Sequence, residues 1–436
     1  MQAGEVGPAD VPALDGRRAA EVNERADVLI VGGGIAGGSL ATVLARAGLD
    51  VVVLEKQEVY RDRVLGEAMF PWGVAEAVRL ELYDVLTATE SGYCTLRTWL
   101  DYAEDEPSGG PEEELLPEGL EKTMGGVRWI LDVSHPGACQ ALAAAAEAAG
   151  ARVIRGVRDV EVTAGAKPRA TYVRDGLRQE FACRLIVGAD GHHSHVRHRL
   201  GVALHQESPT SLAAGMLVGD LEDCPAETGY SAYMCDRFLI GFPQAGARSR
   251  LYVCWDVTDR HRFSGRERVT RFLGAFRTDH IPFGHQLAAG TPAGPCAVYP
   301  LHSTWTNPPS VEGAVLIGDA AGWIDPLIGQ GLSVAMRDVR VLSEILLSER
   351  RWSSSSLAAY GHERAERMRR LRFTASVDQK LRVRFGPEAV SRRERARQRM
   401  RDEPQLGLLK AAQIVGPDHP PEWAFEASTL QRLLAP

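Results

Sequence analysis

Residues 26–37 read Ala26-Asp27-Val28-Leu29-Ile30-Val31-Gly32-Gly33-Gly34-Ile35-Ala36-Gly37, a short apolar run followed at once by a glycine cluster. The apolar run is rich in β-branched residues and predicts a buried parallel strand. Gly32, Gly34 and Gly37 fill the three positions of a GxGxxG turn. The first permits the tight turn, the second lets the backbone approach a pyrophosphate, and the third lets the helix pack closely on the strand.

An acidic residue ends the next apolar run. Asp50-Val51-Val52-Val53-Leu54 predicts a second strand, and Glu55 follows it, where a carboxylate can accept hydrogen bonds from an unphosphorylated ribose. A helix that begins near Ile35 points its free N–H groups at the phosphates. The predicted contacts of a dinucleotide cofactor are Gly32, Gly34, Ile35, Ala36, Gly37, Glu55 and Lys56. The alternative interpretation is a glycine-rich turn without a ligand.

Composition favours an enzyme of two or three domains over other classes of protein. The 436 residues carry a net charge of −7, which gives no basic surface for nucleic acid. The longest stretch without Asp, Glu, Lys or Arg is 281–311, and its prolines exclude a membrane span. Seven scattered cysteines without a CxxC pair suit reduced thiols in the cytoplasm. The first 25 residues lack a signal-peptide core, and we expect a flexible extension there.

Two later strands also end in glycine and aspartate. Leu185-Ile186-Val187-Gly188-Ala189-Asp190-Gly191 lies in the middle of the chain. Val315-Leu316-Ile317-Gly318-Asp319 comes later and runs on through Pro326 to Gly329-Gln330-Gly331-Leu332, ahead of a helical pattern. The spacing predicts that the Gly-Gln-Gly segment presents backbone N–H groups at the start of that helix.

These three motifs, in this order, resemble those of class A flavoprotein monooxygenases of the para-hydroxybenzoate hydroxylase fold, over about residues 26–370. The resemblance implies that the dinucleotide is FAD and that Glu55 holds its adenosine ribose. It also implies an arginine near the flavin, for which Arg61 competes with Arg63. The further cofactor contacts implied by the resemblance are Arg63, Gln140, Asp190, Gly191, Gly318, Asp319, Gly331 and Leu332.

The same resemblance predicts an α/β fold with a Rossmann-like FAD-binding domain made of residues 26–65, 127–208 and 302–350. An antiparallel-sheet substrate domain, residues 66–126 and 209–301, is inserted into it. Residues 351–436 are expected to form a helical C-terminal region, in which the arginine-rich stretch 363–401 reads as a solvated helical face.

The resemblance also implies the chemistry. The family takes hydride from NAD(P)H, and its reduced flavin reacts with dioxygen to give a carbon-4a hydroperoxide that hydroxylates or epoxidises the substrate. Residues predicted to serve catalysis are Pro326, Gly329, Gln330 and Gly331. The helix that follows would stabilise negative charge on the pyrimidine edge of the flavin, and Pro326 would stiffen the loop beside it.

Some residues depart from the hydroxylase pattern. Gly322 stands where many hydroxylases have histidine, and residues 66–71 resemble flavin-dependent halogenases and the geranylgeranyl-reductase-like branch of the fold. The halogenase tryptophans are absent from residues 237–243, and no lysine lies between Lys56 and Lys122. We therefore rank oxygenation first, halogenation second and alkene reduction third.

Large aromatic residues in the substrate segments suggest an apolar cavity for a planar, mostly apolar small molecule. The predicted lining residues are Trp72, Tyr233, Phe238, Phe242 and Trp255, and packing inside the sheet is the alternative for each. His192, His193, His195 and His198 have helical spacing, but no nearby cysteine or carboxylate completes a metal site. We predict no metal.

Overall fold

A computed structural model describes residues 23–64, 66–88, 92–102 and 124–435. Within these residues it is a mixed α/β protein with helices at its C-terminal end, which confirms the predicted fold class. The expected N-terminal extension lies outside the described residues except for Asn23–Arg25, which already belong to the first strand.

The strands follow in chain order. They are β1 (Asn23–Val31), β2 (Val51–Glu55), β3 (Ala68–Met69), β4 (Tyr93–Leu96), β5 (Thr98–Tyr102), β6 (Ile130–Val133), β7 (Arg152–Arg155), β8 (Arg158–Thr163), β9 (Arg169–Arg174), β10 (Leu177–Gly188), β11 (His205–Gln206), β12 (Ser211–Gly219), β13 (Thr228–Tyr233), β14 (Phe238–Gln244), β15 (Arg248–Asp256), β16 (Thr291–Pro292), β17 (Ala297–Leu301), β18 (Thr304–Trp305), β19 (Ser310–Val311) and β20 (Ala314–Leu316).

The α-helices interleave with these strands and then dominate the C-terminal end. They are α1 (Ile35–Arg46), α2 (Pro71–Arg79), α3 (Tyr83–Thr87), α4 (His135–Ala148), α5 (His195–Arg199), α6 (Arg268–Gly274), α7 (Gly284–Ala289), α8 (Gly331–Ser348), α9 (Ser354–Leu381), α10 (Pro387–Asp402), α11 (Leu408–Val415) and α12 (Ala427–Leu434). Short 3₁₀ turns occupy Gly318–Ala321 and Pro326–Ile328.

The first sheet positions the site. Its strand order is β19-β20-β10-β1-β2-β7, and β1 runs parallel to both β2 and β10, as β10 does to β20. In register, Val31 stands opposite Gly188, and Gly188 stands opposite Leu316. Since the carboxyl ends of parallel strands lie at one edge, the three glycine-containing turns that follow β1, β10 and β20 meet there.

The second sheet has the order β16-β12-β15-β14-β13-β5, with β17 also paired to β12. Side chains alternate between its faces. One face joins the large core that also contains α1, α4 and α8, and the other packs with α6 and α7 into a separate core. A third sheet, β3-β6-β4, joins the segments on either side of the predicted domain boundary at residue 126.

Helix α9 carries buried charge, which corrects part of the expectation for the arginine-rich stretch. Arg364 and Arg367 are buried, and both pair with the buried Asp338 of α8 at 3.1 and 2.6 Å. Other arginines of the helix, such as Arg369, whose side chain is 40% exposed, pair with surface glutamates. A pattern of alternating charges does not distinguish a solvated face from one that enters a core.

Across the described ranges, none of the helices has the length and apolar character needed to cross a membrane. Nor is any group of three or more His, Cys, Asp or Glu side chains in these ranges arranged to hold a metal ion. The histidines near α5 are engaged elsewhere: His192 Nδ1 lies 3.1 Å from Asp319 Oδ2, and His195 lies beside Glu161.

Candidate active site

The glycine turn after β1 has the geometry that its sequence predicts. Gly32 has φ +105°, and a Cβ added there would lie 2.4 Å from the carbonyl oxygen of Ala189. A Cβ on Gly37 would lie 1.9 Å from the oxygen of Gly32, so the start of α1 can approach β1 only with glycine there. At Gly34 the same position faces open space. That space is where the backbone would meet a pyrophosphate.

Glu55 is buried at the end of β2 and faces this turn. Its Oε2 accepts a hydrogen bond from the Gly33 N–H at 2.7 Å, and its Oε1 accepts one from the Gln57 N–H at 2.8 Å. Tyr60 Oη donates to the Gly33 carbonyl at 2.7 Å and closes the turn from the other side. A carboxylate has about four acceptor sites, so Glu55 keeps capacity for a ribose diol. Lys56 points to the exterior.

The aspartate in the turn after β10 caps the helix that follows. Asp190 accepts hydrogen bonds from Ser194 Oγ at 2.5 Å and from the backbone N–H groups of His195 and Val196 at 2.7 and 3.0 Å. Its carboxylate therefore caps α5, and Gly191, with φ +79°, completes the turn. The backbone of Asp190 lies against Gly32, so this turn shapes one wall of the predicted cofactor site.

The turn after β20 is held by two buried residues that the sequence did not reveal. The Gly318 N–H donates to Asp338 Oδ2 at 2.7 Å. Arg364 donates to the carbonyl oxygens of Gly318, Ala321 and Gly322 at 3.0, 3.0 and 2.8 Å. Burial disfavours ionisation of Asp338, but the guanidinium groups on α9 hold its pKa below the ordinary value. Asp319 is left partly exposed beside His192.

The Pro326 segment forms a 3₁₀ turn that Asp325 caps through the Leu327 N–H at 2.9 Å. Asp325 is buried and also accepts from Gln379 Nε2 at 2.5 Å. Burial raises the pKa of this carboxyl to about 6. Gly329 follows with φ +61°, and a Cβ there would lie 2.8 Å from Phe70. The turn is therefore specified by its glycine and by a cap from inside the protein.

Gln330 and Trp72 point into the protein, which changes the roles predicted for them. Trp72 Nε1 donates to Gln330 Oε1 at 2.7 Å. Gln330 Nε2 donates to the carbonyl oxygens of Ile328 and Gln413 at 2.7 and 3.2 Å, and Gln413 Nε2 donates back to Ile328 at 3.1 Å. The side chain of Gln330 is thus fully engaged in fixing its own loop. Trp72 is buried against that loop, so its side chain packs inside the protein instead of lining a cavity as the sequence had predicted.

Helix α8 starts with unused backbone donors. It has no side-chain cap, and no described residue accepts from the N–H groups of Gly331, Leu332 or Ser333. A Cβ on Gly331 would meet nothing within 4 Å. An uncapped helix start that faces open space is suited to a group that carries negative charge.

The side chains of His135 on α4 and Leu332 on α8 both lie close to the loop that contains Gly66. A Cβ on Gly66 would lie 3.3 Å from His135 Cδ2 and 3.5 Å from Leu332 Cδ2, which brings α4 and α8 together. Burial lowers the pKa of His135 to about 4, and the nearby charge of Arg63 acts in the same direction. His135 is therefore neutral at neutral pH. Gln140, one turn along α4, is exposed and accepts from Arg155 Nη1 at 2.8 Å, away from this group.

The aromatic residues of the second sheet divide between its two faces. Tyr233, Phe238 and Phe242 belong to the large core on the side of α8. Phe238 stands opposite Cys254 in register, so the next residue, Trp255, points to the other face. There it packs on Phe263 and donates from Nε1 to the Asp259 carbonyl at 2.7 Å. Trp255 therefore cannot line the same cavity as Phe238 and Phe242, which corrects that prediction.

The inner face of the sheet also carries charge that no sequence motif marked. Arg250 on β15 pairs with Asp62 and Glu67, which precede β3, at 2.8 and 2.9 Å. Tyr252, two residues along the strand, donates to Glu67 Oε2 at 2.5 Å. The charges of Asp62 and Arg250 both act on His135, so this group adjoins the region in front of α8.

The architecture matches flavoproteins of known structure. The flavin-dependent halogenase CmlS superposes with a TM-score of 0.72 at 17% identity, and the match covers 94% of this chain and 76% of that chain. Likeness at this identity establishes the shared fold.

Curated relatives are more similar in sequence. The chain is 27% identical over 371 residues to the ubiquinone hydroxylase UbiL of Rhodospirillum rubrum, which covers 78% of this chain and 77% of that protein. It is 28% identical over 355 residues to the menaquinone reductase of Mycobacterium tuberculosis, with 78% and 82% covered.

Two family models match the chain itself. A model described as FAD dependent oxidoreductase matches residues 27–62, which contain the first glycine turn and Glu55. A model described as FAD binding domain matches residues 117–374, more than half of the chain, including the turns after β10 and β20 and the start of α8. The chain therefore belongs to the FAD binding domain family and is an FAD-dependent oxidoreductase with the class A flavin monooxygenase fold.

Proposed function

We propose that the protein is an FAD-dependent monooxygenase that uses NADH or NADPH and dioxygen to hydroxylate or epoxidise a mostly apolar, aromatic small molecule. The observation that carries the proposal is the uncapped start of α8, where Gly331 faces open space and the first N–H groups have no acceptor among the described residues. A positive helix end of this kind stabilises negative charge on the pyrimidine edge of a reduced flavin. FAD reduced by a nicotinamide nucleotide supplies the electrons that activate dioxygen.

The residues at the sheet edge fit FAD. Gly34 and Gly331 leave the open spaces that a pyrophosphate and a flat ring would fill, whereas added Cβ atoms at Gly32 and Gly37 would collide with backbone. Glu55 would hold the adenosine ribose, and Asp319 would meet the ribityl or pyrophosphate part. Arg63 would lie near the ring system, beside the neutral imidazole of His135.

The aromatic face of the second sheet supports an apolar substrate. Phe242 packs against Trp99 with ring centroids 5.1 Å apart, and Tyr233 packs against Phe238 at 4.9 Å. We propose that this face, with Tyr233, Phe238 and Phe242, bounds the substrate cavity. Ubiquinone hydroxylase and menaquinone reductase are both named for quinones. We therefore propose a quinone or a related aromatic ring compound as the substrate class.

Reduction is the second candidate function, because the menaquinone reductase is as similar to this chain as the hydroxylase is. A reductase would transfer hydride to the substrate and would need a proton source at the cavity. The buried carboxyl group of Glu67, bonded to Tyr252, offers a titratable group there. Halogenation ranks third on the likeness to CmlS, which extends to the fold alone.

A spectrum and an oxygen electrode test these proposals. The purified protein should be yellow or should take up added FAD, and it should oxidise NADH or NADPH. With a panel of quinones and phenols, substrate-stimulated oxygen uptake together with an oxygenated product supports the monooxygenase. Turnover without oxygen establishes the reductase, and a product formed only with added chloride or bromide establishes the halogenase. A colourless protein that does not take up FAD would overturn all three.

A further inference from the structure

A buried cluster of charged and hydroxyl groups lies on the inner face of the second sheet. Arg250 and Tyr252 project from β15 on the same face as Phe242, because they alternate with Leu251 and Val253. Both are buried. A Cβ on Gly215 of β12 would lie 2.5 Å from Tyr252 Cε1, so the phenol ring is fixed by close packing on the neighbouring strand.

Glu67 lies at the centre of this cluster, where it forms an ion pair with Arg250 and accepts a hydrogen bond from Tyr252. Its Oε1 lies 2.9 Å from Arg250 Nε, and its Oε2 accepts from Tyr252 Oη at 2.5 Å. Arg250 Nη2 also binds Asp62 Oδ1 at 2.8 Å. The guanidinium therefore bridges two carboxylates, and one of them orients the tyrosine hydroxyl.

A further carboxyl, that of Asp132 on β6, has no hydrogen-bond partner for either oxygen among the described residues and is 1% exposed. It stands opposite Ala68 and Cys94 in the third sheet, next to Glu67. Burial raises its pKa well above the ordinary value, and the charge of Glu67 adds to the effect. Burial also raises the pKa of Glu67, although Arg250 opposes the shift.

The charges do not balance if every acid is ionised. Three carboxyl groups would face one guanidinium, and isolated buried charge is strongly disfavoured. The other groups that face the cluster are the neutral His135 from α4, Cys94 from β4 and Tyr299 from β17, and none of them is a cation. Arg63 is exposed, so solvent screens its charge from the cluster. The cluster therefore retains a proton and tolerates no additional negative charge.

We propose that Tyr252, oriented by Glu67 and Arg250, recognises an uncharged carbonyl or hydroxyl oxygen of the substrate, and that the acidic cluster excludes anionic analogues. The proposal rests on the proposed function, since it assigns specificity to the same cavity. While Glu67 is ionised, the Tyr252 oxygen can accept from a substrate hydroxyl. When Glu67 carries a proton it can donate to Tyr252, which frees the phenol O–H for a substrate carbonyl.

The test compares two ligands that differ in charge. FAD-loaded protein is titrated with 1,4-naphthoquinone and with 1,4-naphthoquinone-2-sulfonate, and binding is followed by the perturbation of flavin absorbance. We expect the neutral quinone to bind at least about tenfold more tightly, which corresponds to about 1.4 kcal/mol. The difference should narrow between about pH 8 and about pH 5 as carboxylates take up protons, while the sulfonate stays ionised. Equal affinity at every pH would overturn the proposal.

Variants assign the effect to the tyrosine. At the acidic end of this pH range, where a protonated Glu67 leaves the phenol O–H free for a quinone carbonyl, Tyr252→Phe should weaken binding of the neutral quinone by up to about tenfold, the value of one hydrogen bond. Glu67→Gln should reduce the pH dependence of the discrimination. The matched control is Tyr230→Phe, because Tyr230 is equally buried but lies in the core on the other face of the sheet, and it should leave both affinities unchanged. Unchanged quinone affinity in Tyr252→Phe would contradict the assignment.

Separate measurements distinguish this proposal from the proposed function. FAD content and flavin reduction by NADH or NADPH report on the function, and failure of the wild-type protein there counts against that function. Normal FAD content and reduction, combined with quinone binding that is indifferent to Tyr252 and Glu67, would count against the specificity proposal alone. If Tyr252→Phe does not load FAD, Glu67→Gln and the charge comparison in the wild-type protein decide the question.

Discussion

The proposed cofactor region and the proposed substrate region of this protein are built in different ways. The cofactor region is shaped by backbone: glycine turns at Gly32, Gly318 and Gly329, and the free start of α8. The substrate region is shaped by side chains on one face of a sheet, where Arg250, Glu67 and Tyr252 form a buried network among aromatic rings. Backbone turns leave a motif in the sequence, whereas a network assembled from distant segments does not.

The largest expected effect is the loss of FAD binding when the open space at Gly34 is filled. Gly34→Val should abolish FAD binding while the fold survives, since the new side chain would enter only the open space predicted for the pyrophosphate. FAD content after purification and a thermal melt of the apoprotein measure the two properties. Gly274→Ala, at another glycine without neighbours within 4 Å, is the control and should retain FAD. Normal FAD content in Gly34→Val would show that the cofactor does not lie there.

The second-largest expected effect concerns Asp338, which holds the turn after β20. Asp338→Asn should destabilise the protein by about 3–5 kcal/mol, because it leaves the guanidinium groups of Arg364 and Arg367 buried without their shared carboxylate. Denaturant unfolding checks the value. Glu366→Gln, which breaks exposed ion pairs on the same helix, should cost less than about 1 kcal/mol. Equal losses in the two variants would contradict a special role for the buried pair.

A third prediction uses the pH dependence of stability. The pKa of His135 is about 4 in the folded protein, below the ordinary value of 6.5, so the unfolded chain binds a proton more readily. Stability should therefore fall as the pH drops through about 6.5, with the loss complete near pH 4 and amounting to about 3 kcal/mol. His135→Gln should lack this component. Urea unfolding of the wild-type protein and of His135→Gln at both ends of that pH range measures this component. The same change in the free energy of unfolding in both proteins would disprove the assignment.

The smallest effect tests the division between the two faces of the substrate sheet. Trp255→Phe removes the hydrogen bond to the Asp259 carbonyl on the outer face and should cost about 1 kcal/mol of stability, with no change in affinity for 1,4-naphthoquinone. Phe242→Leu, on the inner face, should weaken that affinity about threefold, because leucine is smaller and removes the aromatic contact with the quinone ring. The reverse pattern would mean that the cavity lies on the other face.

The sequence predicts the backbone turns of this protein better than it predicts the side-chain networks. Apolar runs followed by glycine and an acid identify parallel strands, and parallel strands bring their carboxyl ends together, so the meeting of the three turns could be foreseen. The role of Arg364 could not, because an arginine among alternating charges carries no sign of burial.

Strand orientation was the other obstacle. The run from Arg250 to Trp255 predicts a strand, but apolar residues occupy both of its faces. The alternation therefore does not indicate which face meets the cavity, and the sequence alone groups Trp255 with Phe238 and Phe242, which lie on the opposite face. Arg250 is the signal that could have identified the inner face. A charged residue inside an apolar strand needs polar partners, so it indicates the face on which buried polar groups lie.

The hydrogen bonds that the side-chain amides of Gln330 and Gln413 donate in the loop before α8 have a consequence for biogenesis. The loop before α8 is completed by Gln413 of α11, which lies 83 residues further along the chain than Gln330. During synthesis, the loop can reach its final shape only after α11 has left the ribosome. The proposed flavin site is therefore completed only after α11 has been synthesised, and chains truncated before α11 should bind FAD poorly.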